Sequence, residues 1–325
     1  MKRKLSNIVF VGIIVFLAFV SVKAATYLYN ANEVSYDNTK SGLASTDVQS
    51  AMSELYTKCN ASTTTCPSGH TCIDKTNIKC KRATTLHTET CTNSSTSQYC
   101  QADGYALNDT ITYGNTATTE GVLTIGDAFD CDVDGTGYNH RFYYISDYFD
   151  TSTKKFNDKV AVLVYYSNTD DGVASTTYRA YDSSGENYNG PVTARSELPT
   201  TTQWSNIRLY KSTRQILAQN NATETSGGTF PTSFDYSGYS ARLLTYQEIY
   251  HGCNGSIKNC KFLFERTRYA NSSLGTFGVW TETPEASRGG VYIWNSDYRT
   301  MSNYSSKSGE GVRPTIEILK SEISY

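Results

Sequence analysis

The sequence predicts an α+β fold, and the order of its elements is the main reason. Short apolar-aromatic runs bounded by Asp-Gly and similar turn signals predict strands in the first and last parts of the folded region. A polar middle section, residues 170–240, carries helical patterns near 202–207 and 213–219. Strands, then mixed helices, then strands favour α+β over a parallel sheet with alternating helices. The predicted strands are 122–129, 141–145, 160–166, 277–281, 291–294, 299–303 and 312–319.

Composition excludes one class of partner. The 325 residues carry a formal net charge of −2, so no overall positive field draws the chain to nucleic acid, and no nucleic-acid partner is expected. Tyrosine occurs 26 times. A tyrosine ring buries apolar area and offers a hydroxyl, which suits exposed binding surfaces, but half-buried strand positions explain most of these residues.

The N-terminal 25 residues predict export. A basic stretch at 2–4 precedes an apolar run at 8–22, and small residues follow at 24–25. This pattern is typical of a signal peptide, and it is also long enough for an uncleaved signal-anchor helix that would hold the chain in a membrane. Both alternatives place the remaining residues outside the cytoplasm, because the basic flank stays inside.

Residues 26–58 are expected to form a polar linker that ends in a short amphipathic helix. Ser45, Thr46 and Asp47 are typical of a helix start. The apolar residues that follow recur at helical spacing: Val48, Ala51, Met52, Leu55 and Tyr56. So short a helix must pack on a partner, either the following domain or a second copy of itself.

Residues 59–104 predict a cysteine-rich neck. The segment holds six of the nine cysteines and almost no large apolar side chains, so crosslinks must supply any order. The neck cysteines that precede Cys91 allow three pairings, which the sequence leaves open. They are Cys59, Cys66, Cys72 and Cys80.

Two disulfides are expected from short polar loops. Cys91 is predicted to pair with Cys100, and Cys253 with Cys260, since export favours oxidised cysteines. An odd number of cysteines leaves one over. Cys131 stands apart from the others and is the expected leftover thiol.

Three groups of motifs stand out between 105 and 325. They are Gly-Asp-Ala-Phe at 126–129 with Arg-Phe-Tyr-Tyr at 141–144, Ala-Arg-Leu-Leu-Thr at 241–245, and Gly-Val-Arg-Pro at 311–314. With these motifs, residues 105–325 are similar to a C-type-lectin-like domain of the formylglycine-generating-enzyme (sulfatase-modifying factor) type, in exported proteins of unknown function from Gram-positive bacteria. The resemblance implies a head in which the first and last strands pair and which displays loops on a rigid platform.

Enzymatic activity is not expected. Enzymes of that family hold copper with a cysteine pair near the C-terminus, and this sequence has no cysteine beyond Cys260. The common hydrolase, metalloprotease and nucleotide-binding motifs do not occur in the sequence either. The resemblance therefore carries over the fold without the chemistry.

Three structural roles follow from local pattern. Thr245 with Glu248 forms a capping-box signature, which predicts that a helix starts at Thr245. Trp280 and Trp294 are predicted to lie in the core, and Arg313 is predicted to form a structural ion pair or hydrogen bonds.

A calcium loop is one reading of the aspartates at 130–134. Asp130, Asp132 and Asp134 alternate as in the start of such a loop, and Gly135 permits the turn. The twelfth position is Arg141 rather than a bidentate glutamate. The alternative is a hairpin tip in which Asp-Gly supplies the turn.

The sequence favours a non-catalytic binding protein, cell-surface or secreted, with a protein or glycan ligand. Segment 292–308 combines aromatic anchors with short polar side chains, a composition that suits adaptable binding surfaces. The alternatives are an extracytoplasmic enzyme acting on cell-wall or glycan substrate and a structural surface protein. The predicted contact residues are Tyr292, Tyr298, Arg299, Asn303 and Tyr304.

Overall fold

In a computed structural model, the chain forms two compact units, Met1–Thr76 and Asn77–Tyr325. The expected leader, 1–25, lies outside the described residues. In the part of the chain that the structure describes, no helix is long and apolar enough to cross a membrane. The described residues are 44, 46–60, 77–92, 106–116, 122–175, 177–219, 224–225, 228–267, 278–286, 289–295, 300–305 and 308–324.

The described part of the N-terminal unit is dominated by one helix, α1 (Val48–Asn60). Asp47 precedes it and accepts a hydrogen bond from the Ser50 backbone N–H at 2.8 Å, as a helix N-cap does. Ala51 is buried, whereas Met52 is 67% exposed. Of these two neighbours on the predicted apolar face, only Ala51 is covered.

The C-terminal unit is mostly β, with few helices, and is built on a six-stranded sheet. All neighbouring strands in it are antiparallel except β1 and β19, which run parallel. The strands in spatial order are β18 (Thr315–Leu319), β6 (Lys155–Tyr165), β5 (His140–Asp150), β4 (Ala128–Cys131), β1 (Cys80–Arg82) and β19 (Ile323–Ser324).

The folded unit starts earlier than the sequence analysis placed it. The expected head was 105–325, but strand β1 already pairs with β4 on one side and β19 on the other. Residues from Asn77 onward belong to the compact C-terminal unit. Part of the segment assigned to a cysteine-rich neck is therefore sheet.

A second, five-stranded sheet and four two-stranded ribbons complete the unit. The five strands in spatial order are β16 (Thr300–Ser305), β15 (Gly290–Asn295), β14 (Gly278–Pro284), β17 (Glu310–Gly311) and β9 (Tyr178–Arg179). The ribbons are β2 (His87–Thr90) with β3 (Thr110–Tyr113), β7 (Asn168–Asp170) with β8 (Val173–Ser175), β10 (Thr213–Ile216) with β13 (Thr232–Asp235), and β11 (Glu224–Thr225) with β12 (Gly228–Thr229). Among the described residues of this unit, the α-helices are α2 (Val192–Arg195) and α3 (Tyr246–Gly252).

The middle section is less helical than predicted. Residues 201–206 form turns, and the helix expected at 213–219 is replaced by strand β10. Arg214 and Ile216 of that strand are buried while Thr213 is exposed, which is the two-residue period of a strand. The tertiary contacts of Arg214 override the local helical pattern.

Strand β5 and the second half of β6, from Val160 onward, are buried on both faces. Tyr143 and Val162 belong to one apolar cluster, and Phe142 and Leu163 belong to another on the opposite side. Strands buried on both faces appear in sequence as continuous apolar runs, which is how these two were recognised. The predicted core positions of Trp280 and Trp294 are confirmed, because both are fully buried.

The disulfides correct one prediction. Cys131 was expected to be the leftover thiol, but it is bonded to Cys80, its direct partner across β1 and β4. Register alone brings the two Cα atoms to 4.0 Å, although 51 residues separate them in sequence. Cys253 is bonded to Cys260. Cys91 is also disulfide-bonded, while Cys100, its expected partner, lies outside the described residues.

A buried ionic network ties α3 to both sheets. The Arg242 guanidinium lies 2.6 Å from Glu248 of α3 and 2.5 Å from Glu317 of β18. Arg214 lies 3.0 Å from Glu282 of β14 and 3.3 Å from Glu317. All five side chains are almost fully buried, so each charge depends on its partners rather than on water.

Candidate functional site

A groove of about 520 Å³ lies beside helix α3, and we call it the aromatic groove. It is lined by Phe156, Gln219, Tyr246, Gln247, Tyr250, His251, Asn254 and Gly255.

The start of α3 is fixed by the capping box that the sequence predicts. The Thr245 hydroxyl accepts a hydrogen bond from the Glu248 N–H at 3.1 Å, and the Glu248 carboxylate accepts one from the Thr245 N–H at 3.0 Å. The predicted helix start is confirmed. Because Glu248 is also held by Arg242, the first turn of α3 cannot shift without breaking the buried network.

The end of α3 is pressed against β5. A Cβ atom on Gly252 would lie 2.1 Å from the Ile145 carbonyl oxygen, so only glycine permits this approach. The buried side chain of Ile249 anchors the same helix in the core. The opposite face of α3, with Tyr246, Tyr250 and His251, is left to line the groove.

Two tyrosines form the floor of the groove. Tyr246 and Tyr250 are four residues apart on α3, and their rings stack with centroids 5.7 Å apart and planes 14° apart. Tyr250 is 55% exposed, so an open ring face is presented to solvent. Tyr292 of β15 supports Tyr246 from the side, ring edge to face, at 5.2 Å.

A second ring pair also lines the aromatic groove. His251 stacks on Phe156 of β6 with centroids 4.4 Å apart and planes 30° apart. Phe156 is itself partly exposed. The groove therefore offers two aromatic faces, one on each pair of rings.

Amide side chains also line the aromatic groove. Gln219, Gln247 and Asn254 contribute side chains that both donate and accept hydrogen bonds. The Tyr292 hydroxyl donates to the Gln219 side-chain oxygen and so orients that amide. Burial raises the pKa of Tyr292, which keeps the hydroxyl protonated as a donor.

The loop at the end of α3 is held in place by covalent and hydrogen bonds. The Cys253–Cys260 disulfide closes it, and the Asn259 amide donates to the Cys253 carbonyl oxygen at 2.9 Å. Asn254 adopts a left-handed backbone with φ of 50°, and the Gly255 N–H donates to the Tyr250 carbonyl oxygen at 2.8 Å. The two loop residues that line the groove are thus fixed relative to α3.

The lining of the aromatic groove suits an uncharged ligand. None of its eight lining residues is a carboxylate, lysine or arginine. Exposed ring faces pack against apolar C–H surfaces, and amides pair with hydroxyl or acetamido groups. A ligand with both features fits this surface, whereas a strongly charged ligand finds no counter-charge in it.

Of the predicted contact residues, Tyr292 alone is shown beside the aromatic groove in the part of the chain that the structure describes. Tyr292 contacts it through Gln219 and Tyr246. Asn303 and Tyr304 lie on β16, where they pair with Tyr292 and Val291, and their side chains are outside the described set. Tyr298 and Arg299 also lie outside the described residues.

The other groove residues were missed by the sequence analysis. The signal was present in the helix after Thr245, where Tyr246 and Tyr250 are four residues apart and so share one face, with His251 next to Tyr250. Phe156 and Gln219 come from distant parts of the chain, and only the fold brings them to that face.

The three aspartates of the calcium hypothesis have other partners. Asp130 pairs with Arg141 at 2.8 Å, while Asp132 and Asp134 accept backbone N–H groups of the turn at 135–137 at 2.8 and 2.9 Å. Among the described residues no group of three His, Cys, Asp or Glu side chains could hold a metal ion. The geometry is that of the alternative reading, a hairpin tip.

Comparison with known proteins does not assign the chain to a family. No protein-family model, no curated protein and no solved structure matches the chain.

Proposed function

We propose that this chain is an exported binding protein that takes a neutral glycan in the aromatic groove. The observation that carries the proposal is the stacked pair Tyr246–Tyr250, together with amide side chains and without a carboxylate, lysine or arginine among the eight lining residues. Sugar rings present flat C–H faces and edge hydroxyls, which match exposed aromatic faces and amide groups. Binding is non-covalent.

Export is part of the proposal. The Cys80–Cys131 and Cys253–Cys260 disulfides fit an oxidising compartment, and the N-terminal 25 residues carry the pattern of a signal or membrane anchor. We further propose that the folded unit is a C-type-lectin-like head that displays the groove at the cell surface or in a secreted form.

The test is titration of the full chain, recovered from the exported fraction, with two neutral probes, cellotetraose and an N-acetylglucosamine tetramer. Intrinsic fluorescence reports binding. Tyr250→Ala should weaken binding by about 2 kcal/mol, roughly thirtyfold in Kd, because it removes an exposed aromatic ring from the groove.

A matched control is Tyr210→Ala. Tyr210 is 50% exposed, close to the 55% of Tyr250, but it is not part of the groove lining. The control should bind as the unaltered chain does. If neither probe binds, or if both variants bind equally well, the proposal is wrong. Hydrolysis of either probe would favour the enzyme alternative, and self-association without binding would favour a structural protein.

A further inference from the structure

One amide in the aromatic groove is held in a single orientation. The Tyr292 hydroxyl donates a hydrogen bond to the side-chain oxygen of Gln219, a residue of the groove lining. With its oxygen engaged, the planar amide offers a ligand its nitrogen, which carries two N–H donors. Gln219 is therefore a fixed donor, and the ligand group that meets it has to be an acceptor.

The tyrosine side of this contact is fixed by the five-stranded sheet. Tyr292 lies within β15, which pairs with β14 on one side and with β16 on the other. Its neighbours Val291 and Ile293 are fully buried, so Tyr292 points to the opposite face of the strand. The Thr281 hydroxyl also donates to the Tyr292 carbonyl oxygen at 2.7 Å. The backbone that carries the Tyr292 ring is thus held on both sides.

The backbone before Gln219 is anchored in the same core. Ile216 ends strand β10, and Ala218 directly precedes Gln219. Both are fully buried, and both belong to the apolar cluster that contains Val291 and Ile293 of β15. The two partners of the hydrogen bond are therefore attached to one packed core and cannot separate without disturbing it.

The donors of Gln219 are available to a ligand. The side-chain nitrogen makes no hydrogen bond to any residue that the structure describes. It is also absent from the buried polar atoms without a partner, so this nitrogen is open to solvent. A ligand acceptor can therefore pair with it without displacing a group of the protein.

The other two amides of the lining are not oriented in this way. Within the described part of the chain, the side chains of Gln247 and Asn254 make no hydrogen bond. Each amide can turn over and present either its oxygen or its NH₂ group. These two residues accommodate donors and acceptors alike, which leaves Gln219 as the amide that discriminates between them.

A fixed donor distinguishes the substituents of a neutral glycan. A sugar hydroxyl has a proton to place as well as lone pairs, whereas the carbonyl oxygen of an acetamido group is only an acceptor. The acetamido methyl group also adds apolar surface that can pack on an aromatic ring such as Tyr246. The carbonyl and the methyl group together match the donor of Gln219 and the rings of the groove.

We propose that Gln219, positioned by Tyr292, is the specificity-determining residue of the aromatic groove, and that the ligand is a glycan with acetamido groups whose carbonyl oxygen accepts a hydrogen bond from Gln219. This inference rests on the proposed function, because it names the class of neutral glycan that the groove binds. The binding is non-covalent.

The test compares the dissociation constants of two probes by calorimetric titration of the full chain. The N-acetylglucosamine tetramer and cellotetraose share one linkage, and the first has an acetamido group in place of one hydroxyl on each ring. The N-acetylglucosamine tetramer should bind about tenfold more tightly, the effect of one well-placed hydrogen bond. This comparison uses the unaltered chain and so does not depend on the folding of a variant.

Gln219→Met tests the donor itself. Methionine is unbranched like glutamine but has no N–H group. The preference for the N-acetylglucosamine tetramer should fall from about tenfold to about twofold, while the affinity for cellotetraose should change by less than about twofold. Thermal unfolding checks that the variant is folded.

Tyr292→Phe tests the positioning of the donor. Phenylalanine keeps the ring beside Tyr246 but removes the hydroxyl that orients Gln219. The preference should fall about threefold, because the released amide must then be ordered by the ligand. Tyr210→Phe removes a hydroxyl from a tyrosine outside the lining and should leave the affinity for both probes unchanged.

The outcomes separate this inference from the proposed function. Equal affinity of the unaltered chain for the two probes overturns the inference and leaves glycan binding in place. A folded Gln219→Met variant that keeps the full preference also overturns it, as does an equal change of the preference in Tyr292→Phe and Tyr210→Phe. If neither probe binds, the proposed function fails, and the inference fails with it.

Discussion

Arg242 and Glu248 face each other through two parallel hydrogen bonds, Nη1 to Oε2 at 2.8 Å and Nη2 to Oε1 at 2.6 Å, with both side chains fully buried. The same carboxylate caps the N-terminus of α3 through Thr245. One side chain therefore performs two tasks, since it starts the helix that lines the aromatic groove and fixes that helix to the core. The position of the groove depends on this pair.

Replacement of Glu248 by Gln should destabilise the fold strongly. It leaves the Arg242 charge in the core with one partner fewer and weakens the helix cap, which should cost about 3 kcal/mol of unfolding free energy. Urea denaturation followed by far-ultraviolet circular dichroism measures this loss. Asp158→Asn, an equal charge change at an exposed position, should cost less than about 0.5 kcal/mol. Equal losses in the two variants would contradict the role assigned to the pair.

The network should also make the free energy of unfolding depend on pH, and Glu248 and Glu282 should contribute to that dependence with opposite signs. Burial opposes ionisation of Glu248, but the Arg242 charge outweighs it and holds the pKa of Glu248 below its usual 4.5. Its contribution is therefore present above pH 4.5 and is lost as pH falls through the lower folded pKa. Burial raises the pKa of Glu282 above 4.5 against the opposing Arg214 and Arg242 charges, so ionising Glu282 costs stability as pH rises.

Glu282→Gln should therefore gain stability relative to the unaltered chain as the pH rises from about 5 upward, because the amide has no proton to lose. Urea titrations at a series of pH values measure the difference in unfolding free energy. A difference that stays constant with pH would show that Glu282 titrates as an ordinary glutamate.

Arg313→Lys should destabilise the fold by about 2 kcal/mol and loosen the segment 263–267, to which the buried Arg313 donates hydrogen bonds. Lysine cannot reproduce the several directed donors with which the guanidinium holds Leu263, Glu265 and Thr267. Burial lowers the pKa of Arg313 to about 10, which already marks this site as costly for a charge. Hydrogen exchange should speed up in 263–267 before it does in strands β5 and β6. Unchanged exchange in that segment would contradict the positioning role.

The Cys80–Cys131 and Cys253–Cys260 disulfides should differ in how much they stabilise the fold. In the chain-entropy account, stabilisation grows with the length of chain enclosed, so Cys80–Cys131 with a separation of 51 should contribute about 4 kcal/mol and Cys253–Cys260 with 7 about 2 kcal/mol. Double serine variants of each pair, compared by thermal unfolding, test the order. A larger loss from the shorter loop would show that native packing rather than chain entropy sets the contribution.

Local patterns predicted the parts of this fold whose causes are local. The capping box at Thr245 and the short loop between Cys253 and Cys260 each rest on a few neighbouring residues, and both appear in the structure. Cys131 was misjudged because its partner is set by the register of β1 against β4, which no sequence spacing shows. Strand β10 was missed because Arg214 is drawn into the ionic network.

The candidate sites were harder to predict for the same reason. A count of 26 tyrosines does not say which of them face solvent, and segment 292–308 drew attention by composition alone. The aromatic groove instead takes its rings from one face of α3 and from β6, which are far apart in the sequence. These juxtapositions depend on long-range packing.

The crosslink between β1 and β4 has a mechanical consequence. Cys80 is the first residue of the six-stranded sheet that a pull from the N-terminal side would reach. At that residue the load passes through a covalent bond into Cys131, and so into the strand next to the long pair β5 and β6. The hydrogen bonds that β1 makes with its neighbours therefore do not have to carry this force. A tethered head of this design would resist drag forces without unravelling from the end by which it is held.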